Sequence, residues 1–345
     1  MQRLIIYLSI ALLLGSLGGY AYWCEQREPV RYLSDLRSHV ALDQGRPSAR
    51  GNLLGIQPEL VTSDYQSVER LRLKLAAYLD HARDLNLLNA RTLVVLPEHI
   101  GTWLLAVGEK DELYQARDRQ QALHWLAASN PLSFTQALLT AKGEARLQDA
   151  MIRTKAKTMA RDYQQLFGGL ARDYGVTLVA GSIVLPEPRV ELGQLKVANG
   201  PLYNVSLVFD SAGNPIGQPQ RQTQGDQIIA GAPPSQLHVL DTPAGRLGIL
   251  LGKDAQDSEH HRLLAAQQAE LLALPTSRQA SPEQATRLAQ QMQQMQQHSL
   301  RAAIAVQLRG RLWGKAAQPR SLVVEPGQPL FGDARSGAQL VNLWL

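Results

Sequence analysis

An uncharged apolar stretch runs from Leu4 to Trp23, with Arg3 before it and Glu25, Arg27 and Glu28 after it. About 20 such residues cross a hydrocarbon core as one helix, and Tyr20, Tyr22 and Trp23 have the character of an interfacial anchor. A cleaved signal peptide competes with this reading, because Gly19 and Ala21 set small residues at a spacing a peptidase accepts. Residues 25–50 then turn polar and carry Pro29 and Pro47, as a juxtamembrane linker would. Beyond them the apolar positions become periodic. The run Asn52–Gln57 reads as a buried strand, and Ser63 with Gln66 forms a capping-box signature. Val68, Leu71, Leu75, Leu79 and Ala82 follow at helical spacing to about Leu87. Thr92–Leu96 is a second buried strand, closed by Pro97 and Glu98. Strand, helix and strand at this spacing predict a β-α-β unit with parallel pairing.

From Trp103 to about Arg172 the pattern is helical, with breaks at Asn130-Pro131 and near Gly143. Strands are predicted at 176–180, 203–209, 237–240, 247–251, 270–274, 303–308, 321–325 and 339–345, and Ser211–Pro215 supplies a turn. Helices are predicted from the turn near Gly252 to Ala269 and, rich in glutamine, from Pro282 to Arg301. Gln290–Gln297, with Met292 and Met295, reads as a surface helix with a narrow apolar stripe. The alternation predicts one α/β domain over 51–345, after an anchor or signal segment at 1–24 and the linker at 25–50.

Composition narrows the function. At 345 residues and 45% hydrophobic content the chain can bury a large core, and its single cysteine, Cys24, excludes an intramolecular disulfide. The formal charge is +5, but acidic residues are interspersed almost everywhere, which argues against a nucleic-acid partner. The densest basic patch, Arg153, Lys155, Lys157 and Arg161, is short. Tyr22 and Trp23 before Cys24 do not suit lipid attachment. Arg3 is nearly balanced by Arg27, Arg31 and Arg37, so orientation rests on the large domain after a short amino-terminal stub, which points outward to the periplasm. His260 and His261 are adjacent on a helix and face different ways, which is poor metal geometry. There is no P-loop and no dinucleotide-binding glycine fingerprint, and no metal or cofactor is expected.

The candidate chemistry lies in three segments. Glu98 follows a buried strand, where α/β folds place reactive groups. Leu202-Tyr-Asn-Val-Ser-Leu-Val-Phe-Asp210 leads to Gly213 and on to Arg221. Gly245-Arg-Leu-Gly-Ile-Leu-Leu-Gly-Lys-Asp254, with Glu259 and Arg262, reads as strand, sharp turn and helix, the kind of elbow on which hydrolases mount a nucleophile. In this order the three segments resemble the signatures of the nitrilase, or carbon–nitrogen hydrolase, superfamily across about residues 50–345. The resemblance implies a four-layer α-β-β-α sandwich and pairing through helices into a homodimer. It also implies a catalytic Glu, Lys and Cys: a thiolate attacks an amide or nitrile carbon, the Glu acts as general base, and the Lys stabilises the tetrahedral intermediate.

Carried over by position, Glu98 matches the base, the lysine falls on Arg221, and the nucleophile falls on Gly252. Lys253, Asp254, Glu259, Arg262 and Asn204 match the pocket and its framework, and Glu187 or Glu191 matches a supporting carboxylate. Gly252 cannot form a thioester, and Arg221 offers a planar fork in place of a compact ammonium. The expectation is a membrane-anchored pseudoenzyme that binds a small ligand or a partner protein. Two alternatives compete. One is an active hydrolase using Glu98 with water, Asp254 or Ser258; the other is an assembly protein with a closed pocket. Relative to the family, about 103–150 looks inserted. Its Trp103, Leu104, Leu105, Leu123, Trp125 and Leu126 suit an accessory core, a lid, or a surface meeting the membrane or a partner.

Overall fold

The computed structural model describes residues 2–26, 33–141, 145–277, 279–294 and 300–345. Arg27, Glu28, Pro29, Arg31, Gly143 and the last turns of the expected glutamine-rich helix, with Met295, lie outside them. Helix α1 (Gln2–Glu25) is long and apolar enough to cross a membrane. The next element overturns the linker reading of 25–50: Ser38–Gln44 is a strand, β1. It is followed by β2 (Asn52–Gln57), helix α2 (Val68–Asp84) and β3 (Thr92–Val95). Helix α2 is capped by Ser67, which accepts from the amide of Arg70, rather than by Ser63. The latter lies in a short 3-10 turn beside Asp64, whose carboxylate is fully buried on Lys74 at 2.8 Å.

The expected helical region divides into α3 (Arg119–Ser129), α4 (Pro131–Thr140) and α5 (Arg146–Tyr174). Asn130-Pro131 breaks the first pair as the sequence predicts, and Gly175, at φ +63°, ends α5 in the left-handed conformation that glycine tolerates. Strands β4 (Thr177–Val179), β5 (Ile183–Pro186), β6 (Leu202–Phe209) and β7 (Pro215–Arg221) follow. The second half holds β8 (Val239–Thr242), β9 (Gly245–Ile249), α6 (Ser258–Ala266), β10 (Leu271–Thr276) and α7 (Pro282–Gln294). It closes with β11 (Ala302–Gln307), β12 (Leu322–Glu325), β13 (Gln328–Phe331) and β14 (Ala338–Trp344).

Two sheets result. One runs β1-β14-β2-β3-β4-β6-β7, with β5 also on β6; the other runs β8-β9-β10-β11-β12-β13. The β2–β3 and β9–β10–β11 pairs are parallel, as their helical crossovers require. Leu53, Leu93 and Val341 of the first sheet interdigitate with Ile249, Ala273 and Ile304 of the second to form the central core. Helices α2 and α5 cover the outside of the first sheet, where Leu75, Tyr78, Tyr163 and Phe167 are buried. Helices α6 and α7 cover the second, through Leu264, Ala289 and Met292. The order is helix, sheet, sheet, helix, which is the four-layer sandwich expected.

From Trp103 to Leu126 the segment at 103–150 packs into the same core as α2 and α5, and only Ala137, Ala141 and Ala150 form a small cluster apart from it. Trp103 lies 5.0 Å, centroid to centroid, from Trp313, and Leu104 and Leu126 are fully buried.

Candidate active site

Strand β3 ends at Val95, and Leu96-Pro97 carries the chain to Glu98 at the rim of the first sheet. The Glu98 side chain is buried, and its Oε1 accepts from Asn204 Nδ2 at 2.9 Å. The same amide donates to Gln222 Oε1 at 2.8 Å, and Gln222 Nε2 donates to the Gln224 carbonyl at 2.6 Å. Among the described residues Glu98 Oε2 and Asn204 Oδ1 have no hydrogen-bond partner, although both are buried. Two such acceptors are costly unless something donates to them. His99, beside Glu98, stands at φ +61°, uncommon for a side-chain-bearing residue. Its amide is held by Ser182 Oγ at 2.8 Å, and its Nε2 lies 3.7 Å from Glu98 Oε1.

Facing Glu98 is the end of β9. Leu250-Leu251 leads into a 3-10 turn, Gly252–Gln256, and Gly252 takes φ +52°. A Cβ built on Gly252 would lie 3.1 Å from Glu98 Cδ and 3.3 Å from Oε2, and closer still to Oε1. The carboxylate of Glu98 therefore occupies the space into which a side chain at position 252 would project. Asp254, fully buried, ties the turn to the loop after β7: it accepts from the Thr223 amide (2.6 Å), the Thr223 hydroxyl (2.9 Å) and the Gln224 amide (3.0 Å). With both oxygens accepting hydrogen bonds from the loop after β7, Asp254 serves as framework, and it does not line the cavity described next.

A cavity of about 210 Å³ opens at this junction, lined by Glu98, His99, Gln222, Asp226, Gly252 and Lys253, with Ile229, Gln256, Thr276 and Ser277 completing it. None of its lining comes from 103–150, so that segment forms no lid over it. Lys253 is exposed at the rim.

The structure separates several expected site residues from this cavity. Arg221 pairs with Val205 across the β6–β7 ladder and lies over the Tyr203 ring at 4.3 Å, with Nη2 donating to the Pro188 carbonyl. Odd-numbered residues of β6 share that face, so Arg221 points away from Glu98, and its neighbour Gln222 stands at the site. Alternation from Asn204 is the sequence signal that would have picked Gln222: its amide donates to the Asn204 carbonyl, which makes the two cross-strand neighbours. Glu259 and Arg262 are exposed and pair with each other. Glu191 pairs at the surface with Arg189 and Lys196, and neither it, Glu187 nor Ser258 lines the cavity. His99, Asp226, Thr276 and Ser277 escaped sequence reasoning because they lie on loops and at a strand end far apart in the chain, and only the two-sheet junction assembles them.

Behind the elbow, the adjacent histidines diverge as their helical spacing requires. His260 Nε2 meets the Thr223 hydroxyl at 3.1 Å, whereas His261 lies between Gln291 Oε1 and the Ala255 carbonyl, each at 3.1 Å. Burial depresses the His261 pKa below the usual imidazole value, outweighing those two acceptors.

No family model and no curated protein matches the chain. Solved structures do. An amidase from Nesterenkonia sp. AN1 in complex with acrylamide aligns at a TM-score of 0.52 and 17% identity, over 87% of this chain and 93% of that one. A form of the same amidase with the acetamide moiety of fluoroacetamide on its active-site cysteine aligns at 0.52 and 19%, over 87% and 93%. Saccharomyces cerevisiae Nit3, from branch 10 of the nitrilase superfamily, aligns at 0.53 and 14%, over 86% and 92%. The likeness is one of fold: with two packed sheets and helices on both outer faces, the chain has the fold of the nitrilase, or carbon–nitrogen hydrolase, superfamily.

Proposed function

We propose that the protein is a membrane-anchored, carbon–nitrogen hydrolase-like pseudoenzyme that binds a small, hydrogen-bond-donating ligand at Glu98 without turning it over. One observation carries this reading: the Glu98 carboxylate fills the side-chain space of Gly252. The elbow has no reactive atom, and the group that would serve as its base has closed over the vacancy. Gln222, at the place where a cation would steady a tetrahedral intermediate, is neutral. The pocket nevertheless keeps an unpartnered buried acceptor, Glu98 Oε2, which suits a ligand bearing N–H groups, such as a primary amide or an ammonium.

Anchoring through α1 is supported by its seat on the domain. The Tyr20 hydroxyl donates to the Ala128 carbonyl at 2.5 Å, and Trp23 packs on Trp125, contacts that a removed signal peptide would not make. The domain then lies outside the inner membrane.

Thermal unfolding of the full chain in detergent, with a panel of small amides and primary amines, tests the pocket. A binder raises the midpoint by mass action, and Glu98→Gln should abolish that rise. A panel that leaves the wild type unmoved would favour a closed pocket and an assembly role.

A further inference from the structure

Helix α4 has no charged residue, and its inner face packs through Phe134, Ala137 and Leu138 against Ala150 of α5. Its outer face sets two large apolar side chains among the uncharged Ser133, Thr135, Gln136 and Thr140, all exposed. Leu132 is 79% exposed and Leu139 77%, and seven residues apart they share one side of the helix. Leu147, at the start of α5, adds a third side chain at 59%. Large apolar groups gathered in this way mark an interaction surface more often than they occur by chance.

The position of α4 indicates what covers it. Tyr20, whose hydroxyl holds the Ala128 carbonyl, lies five residues before the end of α1, so the end of α3 sits about 7 Å back along the α1 axis. Lys110 continues the seam, with Nζ 4.1 Å from the centre of the Trp23 ring and donating to the Gln26 carbonyl at 2.7 Å. Tyrosine and tryptophan at a spanning helix's end reside at headgroup level, and α4 starts three residues beyond Ala128. Arg146, exposed, donates to the Leu138 carbonyl and borders the patch with a cation suited to phosphate.

We propose that α4 is a second membrane contact, lying flat in the interface of the bilayer that α1 spans, with Leu132, Leu139 and Leu147 among the acyl chains. The inference rests on the anchored reading of α1. Its consequence is orientation: a domain held at two places cannot swivel freely about a single helix.

The test uses the full chain in phosphatidylcholine–phosphatidylglycerol vesicles. Cys24→Ser removes the one native thiol, and an environment-sensitive fluorophore is then placed singly through Leu139→Cys, Leu132→Cys, Leu13→Cys or Leu73→Cys. Leu73 is a matched control, 62% exposed on α2 near Arg72, which pairs with Asp173 at the far end of α5. The probes at 139 and 132 should be quenched at least twofold more than the probe at 73 by lipids spin-labelled near the headgroup. The probe at 13 should respond to labels deep in the chains. Quenching at 139 no greater than at 73, with 13 deep, overturns the contact while leaving the anchor intact. A blue-shifted probe at 139 that lipid labels do not quench overturns it in favour of a protein partner. An unquenched probe at 13 removes the anchor, and the inference with it.

Discussion

The two strand ends that face each other across the cavity have kept opposite things. At the end of β3 stands an ionisable side chain: Glu98 is buried and held by Asn204, with one oxygen left over. At the end of β9 there is no side chain, only a constrained backbone: Gly252 holds φ +52° in a 3-10 turn, and Asp254 accepts from Thr223 and Gln224. The elbow is thus maintained by a tie that does not involve position 252, so its geometry needs no side chain there. The carboxylate, by contrast, depends on what is missing, because it rests where a side chain would be.

This contrast is broken most severely at the tie. Asp254→Ala leaves the half-buried amides of Thr223 and Gln224 without an acceptor and should destabilise the protein by about 3 kcal/mol, read from the urea midpoint, while Asp254→Asn should cost less. A smaller change for alanine would mean that the elbow stands without its tether. Next is the apex itself. Gly252→Ala forces a side chain into a left-handed conformation and against Glu98, a loss on the order of 2 kcal/mol. In a Glu98→Ala background the same change should cost about 1 kcal/mol less, because the two sites share the space. Additive losses would show that the carboxylate does not fill the vacancy. Glu98→Gln alone should move stability by less than about 1 kcal/mol, since Asn204 can donate to either oxygen-bearing group.

The smallest effect sharpens the elbow side. Because folding depresses the His261 pKa, the unfolded chain binds more protons below about pH 6.5. Stability is therefore full above that value and declines as pH falls through the folded-state pKa. His261→Gln should flatten this slope between pH 7.5 and 5, and an unchanged slope would assign it to other groups.

Much of the fold was readable in the sequence because its central strands are short, largely apolar and separated by amphipathic helices; Asn52–Gln57 and Thr92–Val95 are buried throughout. The misses are edge elements. Ser38–Gln44 mixes His39 and Asp43 with Val40 and Leu42 and is only partly buried, so it reads as linker. Pro215–Arg221 holds two prolines and a glycine, a composition hostile to a central strand but tolerated at a sheet edge with a register shift, which occurs between Ile216 and Gln220. Overlooking that strand is also why Arg221 was placed at the site: strand alternation turns it outward and brings Gln222 in. Glu98 and Gly252 were readable because each ends a strand that the apolar pattern marks.

The central claim, that the pocket binds without catalysis, is tested most directly by following ammonia release from small amides and nitriles with the purified full chain. The same compounds are titrated calorimetrically against wild type and Glu98→Gln. The account predicts saturable binding that Glu98→Gln abolishes, with no ammonia above the buffer rate. Ammonia release by the wild type that disappears in Glu98→Gln would contradict it.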